Sequence, residues 1–279
     1  MNFLPDIFGP AGLGGIVEQF SSEVSHPQFW LNLSKIVWIN VLLSGDNALV
    51  VAMACRSLAP RQRFWGMVLG SVAAVALRIV FTVAIATVMG LPYLKLVGGL
   101  ALLVIAAKLL VPNGEEHGNV SAASHLWAAV QIVVVADIVM SLDNVIAVAA
   151  AAGGSLPLLI FGLASSIPLI IAGAALIMAL ISMLPILIWA GSALLGWIAG
   201  DVIATDPAVH PKLDALFAGS LGAKLDSWLA AVGMSPQFGH GGNGGEITLA
   251  VLGIVVVLVA GSLWRRNAVR KAKHAAKAA

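Results

Sequence analysis

Two aspartates stand inside apolar runs where a carboxylate needs a chemical reason. Residues 39–54 read INVLLSGDNALVVAMA and carry Asp46 beside Asn47; residues 136–151 read ADIVMSLDNVIAVAAA and carry Asp143 beside Asn144. Aligned without a gap, at an interval of 97 residues, Ser44 meets Ser141, Asp46 meets Asp143 and Asn47 meets Asn144. Asn40 stands where the second copy has Asp137. Ionisable groups are costly in hydrocarbon, so a duplicated Ser-x-Asp-Asn group inside apolar segments points to a functional site. The competing reading is that each aspartate only pairs with a basic residue to hold helices together.

The chemistry on offer is that of hard oxygen ligands. Carboxylates, amides, hydroxyls and backbone carbonyls suit divalent ions such as Mg²⁺, Ca²⁺ or Mn²⁺. Soft-metal chemistry would want thiols, but Cys55 stands alone at the edge of its apolar run, and Met53 and Met140 read as apolar filling. Asp46, Asp137 and Asp143 supply three negative charges, and Arg78, mid-way along another apolar run, supplies one positive charge. Sharing one cavity, they leave a net charge of −2, which a divalent cation neutralises. An empty site would take up protons instead, which makes proton-coupled exchange chemically reasonable. Arg78 is expected to act as the partner of Asp137 rather than to touch cargo.

Those residues must be positioned by helices. Asn40, Ser44 and Asn47 fall on one helical stripe, as do Asp137, Ser141 and Asn144, with each aspartate about 100° round from its neighbouring asparagine. A local unwinding at Ser44-Gly45 would gather the ligands to one point, as in discontinuous transporter helices. Leu142 replaces Gly45 in the second copy, so a weaker break is expected there.

Composition puts these helices in a bilayer. The chain has 279 residues, 60% hydrophobic and 10% charged, with mean hydropathy +0.99, whereas a soluble domain carries about 25% charge. Seven spans of roughly bilayer length are expected, at 30–54, 64–89, 92–111, 126–151, 156–179, 183–204 and 246–264. Residues 1–28 read as a short N-terminal tail with a surface turn near 16–20, not as a cleaved signal peptide, because they lack a basic n-region and Pro5, Pro10 and Gly12 interrupt any apolar core. Residues 212–232 have the spacing of an amphipathic interfacial helix, and the FGHGGNGGE run after them reads as flexible loop. Arg56, Arg61 and Arg63 follow the first span and six basic residues follow the last, so the positive-inside rule sets the N-terminus outside and the C-terminus in the cytoplasm. The basic tail reads first as a stop-transfer anchor, with anionic lipid as a further ligand.

The duplication extends beyond the motifs. Leu91-Pro92 opens the third span as Leu184-Pro185 opens the sixth; Gly98 aligns with Gly191, Gly70 with Gly162, and Lys108 falls opposite Asp201. Spans one to three thus repeat as spans four to six, and an odd number makes the repeat inverted. The expected architecture is an all-α polytopic membrane protein with about seven transmembrane helices, a 3+3 inverted-topology repeat and one extra C-terminal helix. Its parts are an N-terminal tail 1–28, repeat one 29–112, a cytoplasmic loop 113–125, repeat two 126–207, an external segment 208–245, a seventh span 246–264 and a basic tail 265–279. Such repeats hold cargo near the midplane at the repeat interface. Lys108 and Asp201, at span ends, read as snorkelling residues, with a gate as the alternative.

Ser44-Gly45-Asp46-Asn47-Ala48 and Ser141-Leu142-Asp143-Asn144 resemble the paired signatures of the TerC family. The similarity covers roughly residues 35–207, including both Leu-Pro openings and Trp197-Ile198-Ala199-Gly200-Asp201. TerC-like proteins are multi-pass bacterial membrane proteins, some associated with tellurite resistance, others with manganese export and the supply of manganese to exported proteins. The resemblance implies a bacterial plasma (inner) membrane location, Mn²⁺ as the transported ion, and Asp46, Asn47, Asp143 and Asn144 as its ligands. Asp137 joins the ligand set on the charge count, with Asn40, Ser44, Ser141 and Arg78 in support.

Two other classes compete with a metal exporter. One is a non-transporting membrane partner in a stress-resistance, secretion or metallation complex, working through 212–232 and the basic tail. The other is an exporter of small organic cations or amino acids, against which stands the absence of any aromatic residue in the motifs. No Ser-His-Asp, Cys-His or phosphate-loop arrangement suggests an enzyme or a resident cofactor, and the basic residues form no nucleic-acid footprint. The expected partners are a divalent ion and the lipid bilayer.

Overall fold

Apolar runs with few breakers become helices, and each break has a chemical cause. The computed structural model describes residues 12–43, 45–88, 91–111, 122–153, 155–217 and 244–278, and these form helices joined by short turns. The helices are α1 (Gly12–Glu23), α2 (Pro27–Leu43), α3 (Gly45–Cys55), α4 (Pro60–Val88), α5 (Leu94–Leu109), α6 (Ala122–Ala152), α7 (Leu156–Ala164), α8 (Ser166–Met183), α9 (Ile186–Ala204), α10 (His210–Phe217) and α11 (Gly244–Ala278).

Prolines set several starts. Pro27 and Pro60 open α2 and α4, where a missing N–H costs nothing. Ser155 caps α7, its hydroxyl accepting from Leu158 N at 3.2 Å while donating to Glu23 Oε2 at 2.5 Å, which ties α1 to that corner. Pro168 cannot bond back to Ala164, so α7 gives way to α8 at Ser165. The hydroxyls of Ser165 and Ser166 donate to the carbonyls of Gly162 and Leu163, both at 2.6 Å. Between α3 and α4, Arg63 Nη2 donates to the carbonyls of Arg56 (3.0 Å) and Leu58 (3.3 Å), satisfying a helix C-terminus with a cation.

The chain divides into two compact units, Met1–Gly90 with Asn119–Met183 and Leu91–Gly118 with Leu184–Ala279. In the first, α4 packs on α6, α3 on α6 and α8, and α2 on α6 and α7, around a core that includes Ile36, Val51, Ala52, Val133, Leu159 and Leu163. In the second, α9 packs on both α5 and α11. Here glycine is required by close approach: a Cβ on Gly196 would stand 2.7 Å from the Gly253 carbonyl oxygen, and one on Gly200 would stand 2.6 Å from Ala250 Cα. Small residues let two backbones touch where lipid supplies no hydrophobic drive between helices.

Among the described residues, five helices are long and apolar enough to cross a membrane, and the bent pair Pro27–Asn40 with Gly45–Cys55 makes a sixth if it is one span. The remaining expected span, 92–111, is α5, whose 16 residues extend about 24 Å and stop short of that length. It is short because Tyr93 takes a left-handed conformation (φ 67°) at its start and 3₁₀-like bonds to Ala107 and Lys108 close its end. The N-terminal tail holds more than the expected turn, since α1 is a 12-residue helix whose Phe20 stacks on Phe161 at 4.4 Å. The last helix runs on through the basic tail to Ala278, as an alanine- and lysine-rich sequence favours. Of the interfacial helix expected over 212–232, the part up to Phe217 belongs to α10, and the rest lies outside the described residues.

Candidate cation site

The first motif sits at a helix break. The axes of Pro27–Asn40 and Gly45–Cys55 meet at 53°, so Asp46 and Asn47 occupy the first turn of α3, inside an otherwise apolar stretch. A carboxylate there faces the positive end of the helix dipole. Asp46 is half-buried and its Oδ1 accepts from Asn47 N at 2.8 Å; Asn47 is buried. Ser44 lies outside the described residues. In the second copy, where Leu142 in place of Gly45 predicts a weaker break, α6 instead runs unbroken through Ser141, Asp143 and Asn144. The side chains of Asp143 and Asn144 lie outside the description.

Arg78 crosses from α4 to Asp137 on α6, and both are buried. Ser141 Oγ donates to the Asp137 carbonyl and lies 3.3 Å from Asp137 Oδ2; Thr82 Oγ1 donates to the Arg78 carbonyl at 2.7 Å. The pairing expected of Arg78 is thus what the fold makes, and Asp137 already has a cation at hand. Asp46 lies within electrostatic range of both members of the pair. Asn47, Ser71 and Asp137, with Val50, Val51, Ala74, Val133 and Ile170, line a cavity of about 10 Å³, room for one water-sized sphere. Ser71 Oγ and Arg78 Nε are buried without a hydrogen-bond partner among the described residues. Buried polar groups of this kind ask for a ligand, and Ser71 is one that sequence reasoning passed over. A lone serine in a membrane helix carries no signal until the fold sets it opposite Asp137.

Asn40 does something else. Its Nδ2 donates to the Gly162 carbonyl at 2.9 Å, holding α2 against α7 at the point where that span breaks, and its Oδ1 finds no partner among the described residues. A Cβ on Gly162 would strike Ile36, and a Cβ on Gly70 would stand 3.2 Å from Val133 Cγ1. Gly70 and Gly162 align in the two copies, and Ile36 and Val133 stand at the 97-residue interval of the motifs. The contact of span two with span four therefore recurs between span five and span one.

Lys108 is exposed at the last turn of α5, and Asp201 is half-buried near the end of α9. A carboxylate that the sequence did not single out anchors this second unit. Asp206 accepts from the backbone N–H groups of Tyr93 (3.1 Å), Leu96 (3.0 Å) and Ala208 (2.8 Å), capping α5 from another part of the chain. Burial opposes its charge, but the N–H donors of Ala208, Leu96, Tyr93 and Lys95 outweigh it and hold the carboxyl below the usual carboxylate range. Nearby, His210 bridges Asp214 (2.9 Å) and Glu246 (3.5 Å). Among the described residues no group of three or more His, Cys, Asp or Glu side chains is placed to hold a metal ion.

Apolar helices of bilayer length, with a buried ion pair beside a broken one, define a multi-pass integral membrane protein. The chain belongs to the TerC family of integral membrane proteins, whose model matches residues 25–232. It is 41% identical over 178 residues to the uncharacterized membrane protein YjbE of Bacillus subtilis (strain 168), covering 64% of this chain and 81% of that one. It is 29% identical over 143 residues to a UPF0053 protein of Haemophilus influenzae, covering 44% of this chain and 60% of that one. No solved structure matches it.

Proposed function

We propose that this protein exports a divalent cation, Mn²⁺ foremost, across a bacterial plasma membrane by alternating access at its paired Ser-x-Asp-Asn motifs. The observation that carries the reading is the unequal fate of the acidic residues. Asp137 is matched by Arg78, whereas Asp46 stands half-buried at the helix break, next in the chain to Asn47, which lines the same cavity as Asp137. With Arg78 offsetting Asp137, the charge left for cargo is that of Asp46 and its counterpart Asp143. Two carboxylates and one divalent cation sum to zero, as a buried site requires.

In this reading Asp46, Asn47, Asp143 and Asn144 are the direct ligands. Asp137 presents its second oxygen from a position fixed by Arg78 and Ser141, while Ser44 supports the break and Asn40 holds α2 against α7. The ligand chemistry admits Mg²⁺ and Ca²⁺ as well, and membership of the family favours Mn²⁺. The recurrence of the glycine contact between spans two and four in spans five and one supports an inverted repeat. The basic residues after the first and last spans support a cytoplasmic C-terminus and an external N-terminus.

Binding can be tested apart from transport. Titrating Mn²⁺ into purified protein, with free Mn²⁺ read by electron paramagnetic resonance, should show a saturable site that Asp46→Asn and Asp143→Asn each weaken at least about tenfold, the scale of losing one charge-assisted contact. Unaltered affinity in both variants would remove the motifs from the site.

A further inference from the structure

The basic end of α11 faces an open cavity of about 460 Å³ lined by Trp189, Ser262, Arg265, Arg266, Val269 and Arg270. Trp189 comes from the first turn of α9, at the positive end of that helix. The Arg265 guanidinium lies over its ring, 5.4 Å from the centroid. Arg265 is half-buried, Arg266 and Arg270 are exposed, and among the described residues no carboxylate pairs with any of the three. Ser262 adds no donor, because its hydroxyl is engaged with the Val259 carbonyl at 2.8 Å. The cavity therefore combines three cations that have no carboxylate partner among the described residues with an apolar wall of indole and valine.

Its depth matters as much as its charge. The arginines follow directly on the apolar stretch 246–264, where the hydrocarbon gives way to headgroups, and a tryptophan beside them is the usual resident of that boundary. Guanidinium groups take phosphate oxygens in bidentate fashion. Free phosphate would satisfy the arginines and leave Trp189 and Val269 facing nothing. A phospholipid satisfies both, its phosphodiester on the arginines and its glycerol and first methylenes on the apolar wall.

We infer that this cavity binds the phosphodiester headgroup of an anionic phospholipid, holding α9 and α11 at the membrane surface. In the orientation proposed above this is the cytoplasmic leaflet, where anionic lipid attracts juxtamembrane arginines. The site involves none of the cation ligands, so its test stands apart from transport.

The experiment is native mass spectrometry of the full-length protein released from detergent, with phosphatidylglycerol or phosphatidylcholine added. The expected result is a retained phosphatidylglycerol adduct that phosphatidylcholine does not give and that millimolar inorganic phosphate does not displace. The triple variant Arg265→Gln/Arg266→Gln/Arg270→Gln should lower its occupancy at least about tenfold, and the triple lysine variant, which keeps charge and insertion, should lower it a few-fold. Should the glutamine variant fail to insert, Trp189→Leu, which alters no charge, decides the matter with an expected few-fold drop. Equal retention of both lipids, or unchanged occupancy in the variants that insert, would overturn the inference. Displacement by inorganic phosphate would also overturn it, assigning the pocket to the free anion.

Discussion

Arg78 and Asp137 show how a charged pair is read at the scale of single residues. Removing one member leaves the other buried and uncompensated, which typically costs about 3–5 kcal/mol, whereas replacing both by apolar residues of similar volume is close to neutral. Arg78→Met should therefore lower the thermal midpoint of the detergent-solubilised protein strongly, and Arg78→Met/Asp137→Leu should recover most of that loss. Recovered stability without recovered Mn²⁺ transport would mark the pair as part of the pathway's electrostatics. Asp206 makes a contrasting case outside the spans. Its pKa is depressed by four backbone donors despite burial, so its stabilisation is complete above the ordinary carboxylate pKa of about 4 and fades as pH falls through the lower folded value. Asp206→Ala should cost about 1–3 kcal/mol at neutral pH, and the difference in midpoint between variant and wild type should shrink on acidification below about pH 4. A difference that stays constant with pH would deny the carboxylate its capping role.

Among the elements, the break between α2 and α3 and the crossing of α9 with α11 carry the arrangement. Gly200 has backbone where a side chain would go, so Gly200→Val must force α9 and α11 apart, at a cost of about 1–3 kcal/mol. Gly45 faces open space, so Gly45→Leu, which copies Leu142, should leave the thermal midpoint nearly unchanged. Any loss of transport in Gly45→Leu would then belong to the bend itself. The sequence made this contrast between copies legible, because glycine stands at one break and leucine at its counterpart. The close approach at Gly196, Gly200 and Gly253 was not legible, since apolar helices carry glycines at many positions and only the crossing shows which are needed. The cap on α5 was hidden for a similar reason. Tyr93 and Asp206 are 113 residues apart, and no local pattern links a left-handed tyrosine to a carboxylate that far along the chain.

Across the whole molecule, hydropathy was enough to recover the helical class and the five or six apolar helices able to cross a membrane among the described residues, because a bilayer demands about 20 apolar residues and punishes anything else. It overstated α5, whose apolar run is longer than the helix that its two ends permit. Topology can be measured directly in a Cys55→Ser background, Cys55 being wholly buried. Single cysteines at Ala59 and Ala272 should react with an impermeant maleimide only from the cytoplasmic side, and those at Leu91 and Ser235 only from outside. Labelling of Leu91 from the same side as Ala59 would break the inverted repeat. The central claim is that the paired motifs carry a divalent cation, and proteoliposome uptake of Mn²⁺ tests it most directly. Wild type should accumulate Mn²⁺, Asp46→Asn and Asp143→Asn should fall to the level of empty liposomes, and Asp206→Asn should transport normally at neutral pH. Wild-type rates in either motif variant, with the protein folded and inserted, would contradict the account.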